Sequence, residues 1–117
     1  MKPEEFCQKI LKIQPHVRYC GILNSRGDIV YEINKDESST LLSQDEVKMS
    51  VHYTFQRWTS VQNLEHKIGK EKTNITEFDK VTLISLLLKD GSLLLLSSEP
   101  GANYMEIISK VKQIIPE

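Results

Sequence analysis

The sequence predicts an α+β fold: a single domain, residues 1–117, in which three helices and an antiparallel five-stranded sheet follow the order α-β-β-α-β-β-β-α. Three observations support this prediction. Two continuous apolar runs flank Asp90-Gly91, two alternating runs flank Gly27, and amphipathic segments with helix-capping residues separate and enclose these pairs. Because the central strands are apolar on both sides, each face of the sheet needs a cover. We therefore expect the long helix on one face and the two terminal helices on the other.

The central hairpin is predicted over Val81–Ser98, VTLISLLLKDGSLLLLSS. Asp-Gly between two apolar arms is a strong signal for a two-residue type I′ turn, in which both central residues have positive φ. Apolar side chains occupy both faces of the first arm: Val81, Leu83 and Leu87 on one, and Ile84, Leu86 and Leu88 on the other. The sequence thus predicts a central hairpin that is buried on both faces.

A helix and a second hairpin are predicted at the N-terminus. Pro3 suits a first helical turn, and Pro15 ends the helix. Alternating runs over residues 17–23 and 29–33 then flank a turn at residues 24–27, which is predicted to be somewhat longer than the central one. The polar run over residues 34–42 has no period and indicates a mobile connector.

The longest helix is predicted from Ser43, which forms a capping box with Glu46, to about Gln62. Six residues fall within about 120° of arc and are expected to be buried: Val47, Val51, Thr54, Phe55, Trp58 and Val61. Nearly opposite lie Met49, Tyr53 and Gln56. Since Met and Tyr are enriched at interface cores, these three residues are candidates for a partner contact, although single exposed apolar residues also occur without a function.

A lysine-rich strand is predicted within Leu64–Phe78, with Leu64, Ile68 and Thr73 along it. Lysines suit a protected sheet edge, but the same edge can also pair with another chain, and both alternatives stay open. The last helix is expected to begin at Asn103, a cap with an acidic residue three positions later, and to end at Pro116. One stripe of this helix is apolar: Ile107, Ile108, Val111, Ile114 and Ile115.

Charge and cysteine content limit the classes of function. Fifteen basic and sixteen acidic residues give a net charge of −1, which provides no global attraction to nucleic acid or to an anionic membrane, so neither partner is predicted. Cys7 and Cys20 are too few for a disulfide framework and are expected to be reduced, buried thiols. The N-terminus resembles neither a signal peptide nor a membrane anchor, which favours a cytoplasmic protein.

No enzymatic chemistry is predicted. His16, His52 and His66 form no recognisable ligand motif with one another or with a cysteine or carboxylate, so no metal ligand set is expected. The glycines form neither a dinucleotide-binding nor a phosphate-binding motif, so no cofactor is predicted. The lysines that follow residue 66 alternate with acidic residues, which is more typical of a solvated face than of a nucleic-acid contact.

The order and sizes of these elements resemble the roadblock/LC7 domain, a relative of the profilin-like and longin-like folds. The resemblance covers essentially the whole chain and concerns topology and pattern. In detail, YCGILNSRGDIV, KVTLISLLLKDGSLLLLSSEPGANY and the isoleucine-rich last helix are similar to a group of small proteins of ammonia-oxidising archaea, a resemblance that implies no activity.

The roadblock resemblance implies a homodimer in which the central helix and the third strand meet their symmetry mates. It also implies a platform for a small Ras-like GTPase or for a larger assembly. Mapped onto this sequence, the implied interaction residues are Met49, Tyr53 and Gln56 on the helix, and Lys67, Ile68, Lys70 and Lys72 on the strand. Because that strand is charged, backbone pairing would have to dominate the contact.

Two other functions remain as alternatives. A profilin-like or PAS-like sensor would hold a small molecule in a cavity with convergent polar groups, for which Tyr31, Thr82 and Ser85 are the candidates. A longin-like adaptor would use the same outer surface, although the leading helix counts against that topology.

Overall fold

The computed structural model describes residues 2–36 and 41–115, and in it the chain forms two compact units. One unit comprises Met1–Lys35 and Thr73–Glu117, and the other comprises Asp36–Lys72. The predicted element order is confirmed, with one additional short helix. The elements are α1 (Pro3–Ile13), β1 (Val17–Leu23), β2 (Ile29–Asn34), α2 (Gln44–Val61), α3 (Glu65–Ile68), β3 (Thr73–Glu77), β4 (Thr82–Leu87), β5 (Leu93–Ser98) and α4 (Tyr104–Ile114).

All five strands form one antiparallel sheet in the order β2-β1-β5-β4-β3. This arrangement confirms the predicted sheet and puts the central hairpin, β4 and β5, beside β1. The strands β2 and β3 lie at the two edges of the sheet. The placement of α2 over one face, and the single domain as a whole, stay predictions.

Both terminal helices pack on the same face of the sheet, as predicted. Alternate residues of the central strands point to this face: Cys20 pairs with Leu96, which pairs in turn with Ile84. These side chains join buried residues of α1 and α4 in one apolar cluster. The helical contributions are Phe6, Cys7, Ile10 and Leu11 from α1, and Ile107, Ile108 and Val111 from α4. The cluster forms the core of the first unit.

The two cysteines of this cluster are free thiols, and both are fully buried, as the sequence predicts for small apolar side chains. A hydrogen bond with the thiol of Cys7, together with burial, raises the pKa of the Cys20 thiol. A thiol held in its neutral form is a poor nucleophile, so Cys20 acts here as a packing residue.

The two hairpin loops have the same form, and the predicted type I′ turn at Asp90-Gly91 is wrong. Gly91 has a φ of 88°, whereas no residue other than glycine in the described ranges has a positive φ. The Gly91 N–H donates to the Leu88 carbonyl at 3.1 Å, and the Leu88 N–H donates to the Ser92 carbonyl at 2.8 Å. A tight turn that ends in a left-handed glycine needs only one residue with positive φ. Asp90 therefore keeps a negative φ, which is more favourable for a residue with a side chain.

The loop between β1 and β2 repeats this pattern, with Gly27 at a φ of 88°. Its N–H donates to the Asn24 carbonyl at 3.0 Å, and the Asn24 N–H donates to the Asp28 carbonyl at 2.9 Å. The first loop is therefore as long as the second, which corrects the expectation of a longer one.

The predicted helix ends are confirmed where the structure describes them. The Ser43 hydroxyl accepts a hydrogen bond from the Glu46 N–H, and the Glu46 carboxylate accepts one from the Ser43 N–H, so the capping box is complete. At the start of α4, the Asn103 side-chain oxygen accepts a hydrogen bond from the Glu106 N–H, three residues later. Pro116, and residues 37–40 of the predicted connector, lie outside the described residues. Within the described residues, no helix is both long and apolar enough to cross a membrane.

Candidate interaction site

The helix α2 shows few buried side chains. Of its 18 residues, only Val51 and Trp58 are buried, which is little for the longest helix of the chain. The remaining residues of the predicted inner face are half-buried: Val47, Thr54, Phe55 and Val61. The six residues predicted to form the inner face are thus buried or half-buried, and most of the helix surface is accessible to a partner.

The predicted contact residues Met49, Tyr53 and Gln56 all lie on the exposed side of α2. Met49 is 55% exposed and Tyr53 is 62% exposed. The Tyr53 ring lies 6.1 Å from the imidazole of His52, with the two planes inclined by 53°. We refer to Met49, Tyr53 and Gln56 as the α2 patch. Its spacing of four and then three residues puts the three side chains on one stripe of the helix.

The segment after α2 departs from the prediction, because the strand expected from Leu64 begins only at Thr73. Gln62–Leu64 forms a 3₁₀ turn and Glu65–Ile68 forms α3. Lys67 and Ile68 thus lie on a helix, and Lys70 and Lys72 lie in the connection to β3, so none of the four is a strand residue. The charged run shows neither the apolar periodicity of a helix nor that of a strand. Its sequence pattern therefore does not indicate its conformation, which depends on tertiary contacts.

The connection between α3 and β3 is held by an ion pair that sequence reasoning missed. The Arg57 guanidinium donates two hydrogen bonds to the Glu71 carboxylate, at 2.9 and 2.6 Å. This bidentate geometry is the strongest form of such a pair, and it raises the pKa of Arg57. Since the partners are 14 residues apart, no local spacing rule points to the contact.

The strand β3 is an edge strand that carries no lysine. It pairs with β4 along its whole length, from Thr73 opposite Leu86 to Glu77 opposite Thr82, and it ends the strand order. The lysines that were expected to protect this edge precede the strand. Its sequence, TNITE, has three β-branched residues among five, and it contains neither lysine nor proline, two residues that discourage pairing with another chain.

The residues proposed for a small-molecule sensor do not converge. Thr82 and Ser85 are three positions apart on β4, so their side chains point to opposite faces of the sheet. The Thr82 hydroxyl lies 2.8 Å from the Tyr104 hydroxyl, and Tyr31 packs against the core cluster. A cavity that gathers these three hydroxyl groups is therefore excluded.

The charged and thiol side chains of the described residues form no group of three or more that could hold a metal ion. His16 lies 2.9 Å from a carboxylate oxygen of Glu99, which also accepts a hydrogen bond from Arg18. These three residues form a surface ion cluster that joins the start of β1 to the end of β5. Its members are exposed, and such pairs contribute little to stability.

No model of a known protein family matches the sequence, and no curated protein is similar to it in sequence. Solved structures with the same fold do exist. A roadblock/LC7 domain from Streptomyces avermitilis superposes with a TM-score of 0.77 at 11% identity, covering 98% of this chain and 92% of that chain. Myxococcus xanthus MglB has a TM-score of 0.74 at 10% identity, with 93% and 85% covered.

A third structure, described as MglB with a tetrameric arrangement, superposes with a TM-score of 0.77 at 12% identity, covering 95% of this chain and 80% of that chain. The chain is thus an α+β protein that shares its overall fold with these solved structures, including a five-stranded antiparallel sheet. It has the roadblock/LC7 fold. The similarity to the archaeal group stays a prediction.

Proposed function

We propose that this protein is a non-catalytic interaction module that forms a homodimer through the α2 patch and the free edge of β3. The observation that carries the proposal is the exposure of Met49 and Tyr53 on a helix that buries only two of its residues. Large apolar side chains that share one stripe mark contact surfaces more often than scattered ones do.

The α2 patch suits contact with a second copy of itself. In a two-fold symmetric contact the same residues meet from both sides, so the contact surface must be self-complementary. Tyr53 lies at the middle of the patch, between Met49 and Gln56, and its ring offers a rigid contact with an apolar face and a polar tip. None of the three residues is charged, so two copies meet without like-charge repulsion.

The edge of β3 suits the same symmetry. An antiparallel pair of identical strands is two-fold symmetric, and its backbone hydrogen bonds do not depend on the side chains. Thr73–Glu77 has five residues, without lysine or proline. In this proposal Lys67, Ile68, Lys70 and Lys72 are no longer pairing residues, because they lie before the strand.

The function of such a dimer is to serve as a binding platform for a small Ras-like GTPase or for a larger assembly. The roadblock/LC7 fold supports this part of the proposal, and so does the absence of converging polar groups at the sensor candidates. A Ras-like GTPase from the same genome, purified and loaded with GDP or with a non-hydrolysable GTP analogue, tests it. We expect the dimer to bind one nucleotide state in preference to the other.

Sedimentation velocity over a concentration series tests the homodimer. We expect a species of twice the 13.5 kDa of the chain at micromolar concentration. Tyr53→Ala should weaken association at least tenfold, since a central Tyr in an interface contributes about 2 kcal/mol or more, while the far-UV spectrum stays unchanged. Met105→Ala, which truncates an exposed residue of α4, is the matched control and should remain dimeric.

A single 13.5 kDa species at every concentration would remove the homodimer. A fully dimeric Tyr53→Ala variant would show that the α2 patch does not form the contact.

A further inference from the structure

The structure separates the charges of residues 64–72 in a way that the alternating sequence hides. Glu71, the acidic residue between Lys70 and Lys72, is only 18% exposed at its side chain and is neutralised by the bidentate contact with Arg57. Lys67, Lys70 and Lys72 are all exposed. The surface of this segment therefore carries three exposed lysines against one half-buried carboxylate, Glu65, because Glu71 already has a partner.

Apolar side chains are exposed at the same place. Ile68 is 78% exposed, the largest exposed fraction among the large apolar residues that the structure describes, and Leu64 is 52% exposed. Gly69 has a φ of 84° and ends α3, and no atom lies within 4 Å of the position that a Cβ would take there. Lys67–Ile68–Gly69–Lys70 therefore forms an open tip, with an aliphatic side chain between two lysines. We refer to residues 64–72 as the basic tip.

We propose that the basic tip is a docking surface for an anionic lipid bilayer, into whose interface Ile68 and Leu64 insert while the lysines contact the headgroups. Lysines near an anionic surface each favour binding, and apolar side chains buried at the headgroup boundary add a second, independent contribution. Lysines and exposed apolar side chains on one surface match a partner that offers both negative charge and an apolar layer. A bilayer has both.

The composition of the basic tip favours a bilayer over an acidic protein. Residues 62–72 contain no Arg, Tyr, Trp or Phe, which are the residue types that dominate the centres of protein interfaces, whereas lysine is depleted there. Lysine is a compact point charge that needs no defined geometry from its partner. The net charge of −1 led to the prediction of no membrane partner. A sum over the whole chain cannot show that one local group of lysines is exposed while the carboxylate of Glu71 is largely buried and paired.

Binding to sedimenting vesicles tests the proposal. The full-length chain is mixed with phosphatidylcholine vesicles, with and without phosphatidylglycerol. We expect binding only to the anionic vesicles, with an affinity that falls as salt is added. The triple variant Lys67→Gln, Lys70→Gln, Lys72→Gln should bind about a hundredfold more weakly, since each lysine contributes a factor of about five near an anionic surface.

A second triple variant, Lys9→Gln, Lys12→Gln, Lys112→Gln, is the matched control. It has the same net charge, and its three lysines are exposed on the terminal helices. It should bind the anionic vesicles as the natural chain does. Equal loss in both triple variants would overturn the proposal, because overall charge would then decide binding. Failure of the natural chain to bind the anionic vesicles would also overturn it.

Ile68→Ser separates a bilayer from an acidic protein partner. We expect about tenfold weaker vesicle binding, from the loss of one inserted aliphatic side chain, and unchanged binding to soluble polyglutamate. If Ile68→Ser binds vesicles as well as the natural chain does, the basic tip is a purely electrostatic contact and the bilayer assignment is wrong. Sedimentation of each variant without lipid reports the homodimer separately, so the two proposals fail independently.

Discussion

The terminal helices bury a larger share of their residues than α2 does. The helix α1 buries four of its 11 residues and α4 buries three of 11, and all of these belong to one apolar cluster. The longer α2 buries two of 18. Because helix stability in proteins comes mainly from the packing of an apolar face, the terminal helices hold the fold, while α2 leaves most of its surface free to bind. Truncation should therefore destabilise the first region and leave the fold intact in the second.

The largest effect is expected from a charge in the core cluster. Leu86 is buried on the face that the terminal helices cover, so Leu86→Asp buries an unpaired carboxylate and should abolish the cooperative thermal transition followed by circular dichroism. Ile68→Asp makes a similar substitution at the exposed tip and should melt like the natural chain. A cooperative transition for Leu86→Asp near the natural melting temperature would contradict the assignment of the core.

A cavity in the same cluster should have an intermediate effect. Ile10 on α1 is fully buried, so Ile10→Ala should lower the free energy of unfolding by about 2–5 kcal/mol. Ile13→Ala removes the same atoms from a more exposed position three residues later on the same helix and should cost much less. Urea titration compares the two variants. Equal losses would mean that α1 does not pack through the face described.

The smallest stability effect is expected at the start of α2. Ser43→Ala removes half of the capping box and should cost about 1 kcal/mol in the free energy of unfolding. The hydrogen bond from the Ser43 N–H, with a smaller contribution from the Ser43 side chain, lowers the pKa of Glu46 in the folded chain. A lowered pKa stabilises the fold above the ordinary pKa of glutamate, and this contribution is lost as the pH falls through the lowered value.

Ser43→Ala keeps the Ser43 N–H that lowers this pKa, so Glu46→Gln is the variant for the pH test. The difference in the free energy of unfolding between the natural chain and Glu46→Gln should shrink in acid. Ser60→Ala is the control for Ser43→Ala, because its hydroxyl donates to the Gln56 carbonyl within the helix and caps nothing. A difference that stays the same across the acid range would show that Glu46 takes no part in the capping box.

Local rules were sufficient for much of this fold. The helix starts at Ser43 and Asn103 were predictable because each capping residue contacts a residue three positions later. The hairpins were predictable because each has two apolar runs that flank a glycine. The exposed side of α2 also followed from helical periodicity, which correctly assigned Met49, Tyr53 and Gln56 to the surface.

The remaining features depend on contacts that are distant in sequence. Whether residues 64–72 form a strand or a helix has no periodic signal, and the segment is fixed in part by the pairing of Arg57 with Glu71, 14 residues away. The predicted turn type at Asp90 was wrong for a local reason. Asp-Gly is compatible with two loop geometries, and the chain adopts the one in which only the glycine has positive φ.

A disulfide cross-link across the proposed two-fold axis tests the central claim most directly. Because Cys7 and Cys20 are buried, an introduced thiol on α2 is the accessible one. Gln56→Cys lies in the α2 patch, leaves Tyr53 in place, and should form a covalent dimer under mild oxidation. Lys48→Cys lies about 140° from Tyr53 around the same helix, is also exposed, and should remain monomeric on a non-reducing gel. Equal cross-linking of the two variants, or none in either, would contradict a dimer formed through this face of α2.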